Sequence, residues 1–436
     1  MDAIFEPLRF RNLTVKNRIF RSNISGRFDN YDGSGNPTRI NWELKFARGG
    51  VGAIVTSFVP VSIRGRIVPG YATVHRDEAI PFWREVGERV HEYDCKFIMQ
   101  LSHSGRQRDI PGVEFEAGLS STDKPEPLHG FPCLRMTKQD IQETVNDFAQ
   151  GARRARAAGL DGVELHGANG YLITQFLSSG INDRDDEYGG SVRNRARFVL
   201  EIVRAIRNEV GDDFHLQMKI NGTDYNNALL PWEKPGNTIN DTLQICRWLE
   251  EEGVDAIVVS TGSSFPHPRN PPGGINAQVL TKTYDTMASS GYFTLRNLIL
   301  FNSPVGQFFQ WWWDRNDGGH PEGLNLPDAR RVKQTVGIPV LCTGGFQTAS
   351  VIRNAIDKGW CDGVTIARSL VANNDLVHMF AAGLDRPPRP CTYCNKCALN
   401  TLKNPTGCYE ESRFDSREEM LRQVMSVYDP PPFREA

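Results

Sequence analysis

The chain has 436 residues, with 50 Lys and Arg against 52 Asp and Glu and a formal net charge of −2. That balance argues against nucleic acid as the main partner, because phosphate binding needs a clustered excess of Lys and Arg. Hydrophobic residues at 39% and aromatics at 10% belong to a packed globular chain rather than a disordered one, and no apolar run is long enough to span a membrane. The N-terminus, MDAIFEPLRFRN, carries charges where a signal peptide needs its apolar core. The expectation is a cytoplasmic protein with reduced thiols.

In chain order, short β-rich runs alternate with longer amphipathic stretches. RIFRSNIS (18–25), GVGAIVTS (50–57), KFIMQLS (96–102) and DGVELHG (161–167) read as the first four strands. FHLQMKI (214–220), DAIVVS (255–260), IPVLCT (338–343) and DGVTIA (362–367) read as the last four. Several are nearly continuous apolar runs, as strands buried on both faces should be. Helical patterns cover 138–158, 191–210, 238–252 and 348–358. Two of them end in AAGLDGV and EEGVDAI, where Gly159 and Gly253 can take the left-handed position after the helix. Eight strand–helix units with right-handed crossovers predict an α/β fold of the (β/α)₈ TIM-barrel type. A doubly wound sheet would want a Gly-rich phosphate turn after its first strand, and RSNISGRFDN is not one.

Two regions exceed a minimal barrel. Residues 265–322, between strands six and seven, hold FPHPRNPPGG, then YFTLRNLILF, then Trp311, Trp312 and Trp313. They read as an ordered excursion over the barrel mouth or a subunit contact. The sharper alternative is a surface for lipid or a large apolar substrate, against which Arg296 and Asn297 stand inside the apolar run. The second region starts at Arg386, where Pro387, Pro388 and Pro390 mark a boundary. The expected organisation is a barrel over 1–385 and an extension over 386–436.

In a barrel of this kind function gathers at the C-terminal ends of the strands. Those ends read Asn23 and Ser25; Ser57; Gln100; His166 with Asn169 and Tyr171; Lys219; Ser260; Gly344 and Gly345; Ala367 and Arg368. Every mouth position is polar or flexible, while the strand bodies are apolar.

The stretch LHGANGYLITQFLSSGINDRDDEYGGSVRNRARF (165–198) resembles the Old Yellow Enzyme family of FMN-dependent ene-reductases, in its NADH:flavin oxidoreductase and 2,4-dienoyl-CoA reductase form. PLRFRNLTVKNRI near the start, FIMQLSHSGR (97–106), TGGF and ARSL support it. The resemblance covers about residues 1–410 and implies FMN as cofactor, NAD(P)H as co-substrate and a small enone or dienoyl substrate. It implies that the barrel over 1–385 binds the FMN. Asn23 falls among the cofactor-binding residues, and Ser25 matches a Thr or Cys beside the flavin N5 and O4. Ser57 and Gln100 match groups on the pyrimidine edge. Lys219 replaces an Arg near N1 and O2, keeping the charge that stabilises reduced flavin without the guanidinium fork. Gly344, Gly345, Ala367 and Arg368 match the phosphate cradle. His166 and Asn169 match a pair of donors on the substrate carbonyl, and Tyr171 the acid that protonates the α carbon.

Nine cysteines divide into five scattered ones (Cys95, Cys133, Cys246, Cys342, Cys361) and CTYCNKCALNTLKNPTGC, a C-x₂-C-x₂-C-x₁₀-C array of Cys391, Cys394, Cys397 and Cys408. So close a set holds Zn²⁺ or an iron–sulfur cluster, or packs an extended tail. In the two-domain relatives a similar array carries a [4Fe–4S] cluster fed by a C-terminal FAD domain. Here one spacing differs by a residue, and the sequence given ends at Ala436 without such a domain. The leading expectation is an FMN ene-reductase, with a homo-oligomer open. Beside it stand an electron-transfer subunit fed by a separate FAD partner, and an aldolase-like barrel, for which Lys219 has no accompanying cluster.

Overall fold

Eight parallel strands close a barrel. They are β1 (Ile19–Arg21), β2 (Ala53–Val55), β3 (Lys96–Ser102), β4 (Gly162–Gly167), β5 (His215–Asn221), β6 (Ala256–Ser260), β7 (Val340–Thr343) and β8 (Gly363–Ile366). The computed structural model describes residues 2–108, 115–126, 130–226, 234–262, 267–275, 279, 281–282, 292–316, 319, 321–401 and 404–428. Hydrogen bonding runs β2-β1-β8-β7-β6-β5-β4-β3, and β2 pairs with β3 to close the ring. All eight expected strands are present, so the fold is the TIM barrel that the alternation predicts. Gln100, Glu164, Gln217 and Ala256 stand at one level across β3 to β6, and His166, Lys219 and Val258 one inward step above.

The barrel interior is divided by chemistry. One side packs Phe20, Ala53, Val55, Val258 and Leu341 against an antiparallel hairpin (Leu8–Arg9 with Thr14–Val15) that plugs the lower end. The other side, β3 to β5, turns buried Gln100, Glu164, His166, Gln217 and Lys219 inward. Barrel interiors are usually filled by branched apolar layers, so this polar sector needs a reason.

The helices start and stop where local chemistry dictates. Lys138–Ala157 opens with a reciprocal cap between Thr137 and Asp140, and Ile239–Glu251 with the same arrangement of Thr238 and Asp241. Val192–Val210 is capped by Ser191. Gly159 and Gly253 follow two of these helices at φ 77° and 93°, the conformation that costs other residues most.

Some expectations needed adjustment. The first strand, expected through Ser25, leaves the ladder after Arg21, freeing residues 22–25 for the mouth. Val59–Pro60 adds a short parallel pairing to the end of β3, and Gly118–Ser120 pairs with Cys133–Arg135 in a separate ribbon. In the 265–322 insertion, Tyr292–Phe301 and Pro304–Asn316 are helices. Residues 265–266, 276–278, 280, 283–291, 317–318 and 320 of that stretch lie outside the described residues. Trp313 is 1% exposed, donates from Nε1 to the Gly273 carbonyl at 3.0 Å and packs with Ile275 and Leu399. Trp311 is 49% exposed. The insertion therefore covers the barrel with one face, while Phe308 and Ile299 lie on its open face. Among the described residues no helix is long and apolar enough to cross a membrane.

The extension lies against the barrel. Gln347 exchanges two hydrogen bonds with the Cys391 backbone, 2.8 and 3.1 Å, Arg413 donates to the Ala372 carbonyl at 2.8 Å, and Asn41 donates to the Val427 carbonyl at 2.8 Å.

Candidate active site

A cavity of about 290 Å³ opens at the C-terminal face of the barrel, close to the smaller ligand pockets of proteins. Its inner wall is made of strand ends: Asn23 and Ser25 after β1, His166, Asn169 and Tyr171 from β4, and Lys219 from β5. Gly344 and Gly345 after β7, with Ala367 and Arg368 after β8, complete that wall. Its outer wall comes from the insertion (Ile275, Trp313) and the tail (Cys397, Leu399).

Two residues expected here do not line the cavity. The Ser57 hydroxyl accepts from Arg39, part of a buried network in which Arg39 pairs with Asp29 at 2.5 Å and Arg21 pairs with Glu43. That network draws the serine behind the wall. Gln100 donates from Nε2 to Glu164 at 2.8 Å, leaving its buried Oε1 without a partner.

His166 is 2% exposed, and among the described residues neither ring nitrogen has a hydrogen-bond partner. Burial, reinforced by the nearby Lys219 charge, pushes its pKa well below the ordinary imidazole value, so the ring is neutral. A buried imidazole with two idle nitrogens costs free energy unless something else uses them. The Tyr171 ring packs on it at 4.8 Å between centroids, and Phe58 contacts both rings, at 4.8 Å from Tyr171 and 6.0 Å from His166. Asn169 adopts φ 61° and donates from Nδ2 to the Asn270 side-chain oxygen at 2.6 Å. Its amide is thus tied to the insertion rather than paired with His166.

Lys219 donates to the Ser22 hydroxyl at 3.1 Å and to the Asn23 side-chain amide oxygen. Ser25 offers its backbone carbonyl to Thr406 of the tail at 3.0 Å. At the opposite end Gly345 has φ 66°, and a Cβ there would meet the Pro321 carbonyl at 2.8 Å. Only glycine lets the chain pass so closely. Arg368 donates to the Pro272 carbonyl at 2.5 Å and to the Asn395 side chain at 2.6 Å, with Tyr393 beneath its guanidinium at 5.3 Å. Insertion and tail together fix its direction.

The four tail cysteines line a second cavity of about 20 Å³, with Arg368, Val371, Asn395 and Cys397 shared between the two. Burial raises the Cys391 and Cys394 thiols and pushes Cys397 up to about 12, while the Arg368 charge lowers Cys391 and Cys397. Arg413 donates to the Cys408 sulfur at 3.1 Å. Among the described residues, no three His, Cys, Asp or Glu are gathered closely enough for one metal ion. The four sulfurs face one small space flanked by the Arg368 and Arg413 guanidinium groups.

The model of the NADH:flavin oxidoreductase / NADH oxidase family matches residues 3–288. The chain belongs to that family. It is 30% identical over 424 residues to an NADH oxidase of Thermoanaerobacter brockii, covering 94% of this chain and 57% of that protein. It is 28% identical over 441 residues to a cinnamate reductase of Clostridium sporogenes, covering 98% and 61%. The chain thus spans less than two thirds of the length of these relatives. Among solved structures it is similar to a 2-naphthoyl-CoA reductase in complex with 2-naphthoyl-CoA, with TM-score 0.77, 24% identity, and 98% of this chain and 58% of that one covered. An old yellow enzyme homologue from Zymomonas mobilis superimposes with TM-score 0.66 at 18% identity, covering 92% and 99%. At these identities the likeness concerns the fold.

A flavin is the cofactor the family implies, and the residues present fit one. The inner wall offers idle His166 nitrogens, a buried cation and a close-packed glycine turn in one cavity. Sequence reasoning missed Ser22, Thr261, Asn270, Trp313, Asn395 and Leu399, which also line it. Ser22 stood beside the chosen Asn23 and was within reach of the strand-end argument. Thr261, Asn270 and Asn395 lie outside regular elements, and Trp313 and Leu399 lie on helices of the insertion and the tail.

Proposed function

We propose that the cavity binds FMN and that the chain, with NAD(P)H as co-substrate, reduces the C=C bond of an α,β-unsaturated carbonyl or dienoyl compound. The observation that carries the reading is His166, a buried neutral imidazole with both nitrogens idle, packed on a tyrosine in a ligand-sized cavity. FMN, when bound, supplies a hydride from N5 to the β carbon.

The chain's own residues do the rest. His166 donates to the substrate carbonyl oxygen, joined by Asn169 once its amide exchanges Asn270 for that oxygen, and the two stabilise the developing enolate-like charge. Tyr171 carries a phenolic proton at neutral pH and delivers it to the α carbon. Asn23 and Ser25 serve the ring edge, with Ser57 and Gln100 supporting it from behind the cavity wall. Lys219 supplies positive charge at the cavity floor. Gly344, Gly345, Ala367 and Arg368 hold the phosphate, and residues 1–385 act as the flavin-binding barrel.

Anaerobic titration of the purified chain with NADH and NADPH, followed by an enone, tests this. The reading expects flavin absorbance to bleach and then return; a folded chain that takes up no FMN would overturn it.

The shared wall of the two cavities favours a second reading, in which Cys391, Cys394, Cys397 and Cys408 would hold an iron–sulfur cluster and a separate FAD-containing partner would supply electrons. Such a cluster supplies one-electron chemistry. Iron and sulfide found in the protein, with bleaching by nicotinamide only after a partner is added, would favour it.

A further inference from the structure

Beneath the cavity floor, Glu164, Gln217 and His215 form a buried polar row that the proposed reaction leaves unused. Glu164 is 1% exposed, and its two oxygens accept from different amides: Oε1 from Gln100 Nε2 at 2.8 Å, and Oε2 from Gln217 Nε2 at 2.6 Å. Gln217 is itself oriented by His215, whose Nε2 lies 3.0 Å from its carbonyl oxygen. With Gln217 Nε2 given to Glu164, that oxygen is free to accept, so the His215 Nε2 is the donor. Both Glu164 oxygens are thus used as acceptors, as an ionised carboxylate requires.

Lys219 stands one inward step above Gln217 on β5, and His166 one inward step above Glu164 on β4, in a row where Lys219 and His166 are direct register partners. A buried ammonium without a counter-charge gives up its proton, and a buried carboxylate takes one. Burial pushes both groups that way here, and each partner's charge holds the other back.

We propose that Glu164 is the counter-ion that keeps the Lys219 ammonium charged, and so sets how much positive charge the barrel presents to the ring bound above it. Glu164 is a positioning residue: it lies below the cavity wall and acts through Lys219. The proposal rests on the flavin reading only for the consequence at the ring, since the two buried groups act on each other's charge without it. Two barrel amides spent on one carboxylate explain why β3 and β5 carry Gln where an apolar layer is usual.

The first test uses the full chain without flavin, with lysine labelled at Cε, and follows the Lys219 resonance with pH. In Glu164→Gln, of nearly unchanged shape, the Lys219 midpoint should fall by at least about one pH unit. Glu164→Asp, which keeps the charge, should restore most of that fall and serves if the Gln variant does not fold. An unchanged midpoint in a folded Glu164→Gln protein would overturn the proposal. The second test measures the affinity for reduced FMN relative to oxidised FMN. Glu164→Gln should lower that ratio about threefold or more in the native chain, and should not lower it in a Lys219→Met background. An equal fall in both backgrounds would mean that Glu164 acts through packing and overturn the proposal. Failure of FMN to bind would sink the flavin reading alone, leaving the lysine titration to decide.

Discussion

The two walls of the cavity are built by different physics. The inner wall hangs on strand ends, where the main-chain ladder sets each position: His166 and Lys219 face the same space because they are register partners on β4 and β5. The outer wall is set by side chains bonding to irregular backbone. Trp313 donates to Gly273, Arg368 to Pro272, and Asn395 to Pro271 and Gly274 at 3.2 and 2.9 Å. A ladder shares its load over many bonds, whereas the outer wall hangs on a few. The difference assigns chemistry to the inner wall and access to the outer one, the usual division between a scaffold and its loops.

The sharpest way to break the comparison is at Tyr171. Tyr171→Phe keeps the ring against His166 and Phe58 and removes only the hydroxyl. Enone reduction should fall about 10²- to 10⁴-fold, the worth of a positioned general acid. Flavin reduction by NAD(P)H should stay within a few-fold, and stopped-flow absorbance separates the two. An equal loss in both halves would show that Tyr171 only packs.

The outer wall should respond in stability rather than chemistry. Trp313→Ala removes the buried anchor of the insertion and should cost about 3–5 kcal/mol of local stability. Limited proteolysis should then cut within 292–316 while flavin retention and Tyr171-dependent chemistry persist. Loss of bound flavin in that variant would erase the distinction between the walls.

Arg368 belongs to both walls, so its removal should give an intermediate result. Arg368→Ala should weaken FMN binding about 10- to 100-fold, the scale of charged hydrogen bonds, as measured by equilibrium titration. Unchanged affinity would move the phosphate elsewhere.

The smallest effect is on pH. Burial pushes His103, in the loop after β3, down to about 3, and His267, in the insertion, down to about 4. Both are depressed below the unfolded value of about 6.5, so their contribution is complete above that pH and lost as pH falls toward the folded values. The slope is at most about 1.4 kcal/mol per pH unit for each ring. The urea midpoint should therefore drop between pH 7 and 5, less so in His103→Gln, and a midpoint independent of pH would contradict this.

What was legible in the sequence follows the same division. Alternating strand and helix patterns carried the barrel, and the ends of β1, β4, β5, β7 and β8 carried Asn23, His166, Lys219, Gly345 and Arg368. These were readable because a parallel strand fixes which residue reaches the mouth. Ser57 and Gln100 were read at the mouth by the same logic, yet buried partners, Arg39 and Glu164, hold them off its surface. Sequence position gives the register of a strand end but not its competing partner. Asn270, Trp313 and Leu399 were not chosen because their placement depends on contacts between the insertion and the tail, which are distant in sequence.

On the proposed function, the inner wall is a flavin site. A crystal structure of the full chain grown with FMN tests it most directly. The phosphate is expected against Gly344, Gly345 and Arg368, with the ring between Lys219 and the His166–Tyr171 pair. A flavin bound elsewhere, or one whose ring lies against Trp313 and Leu399 with His166 untouched, would contradict it.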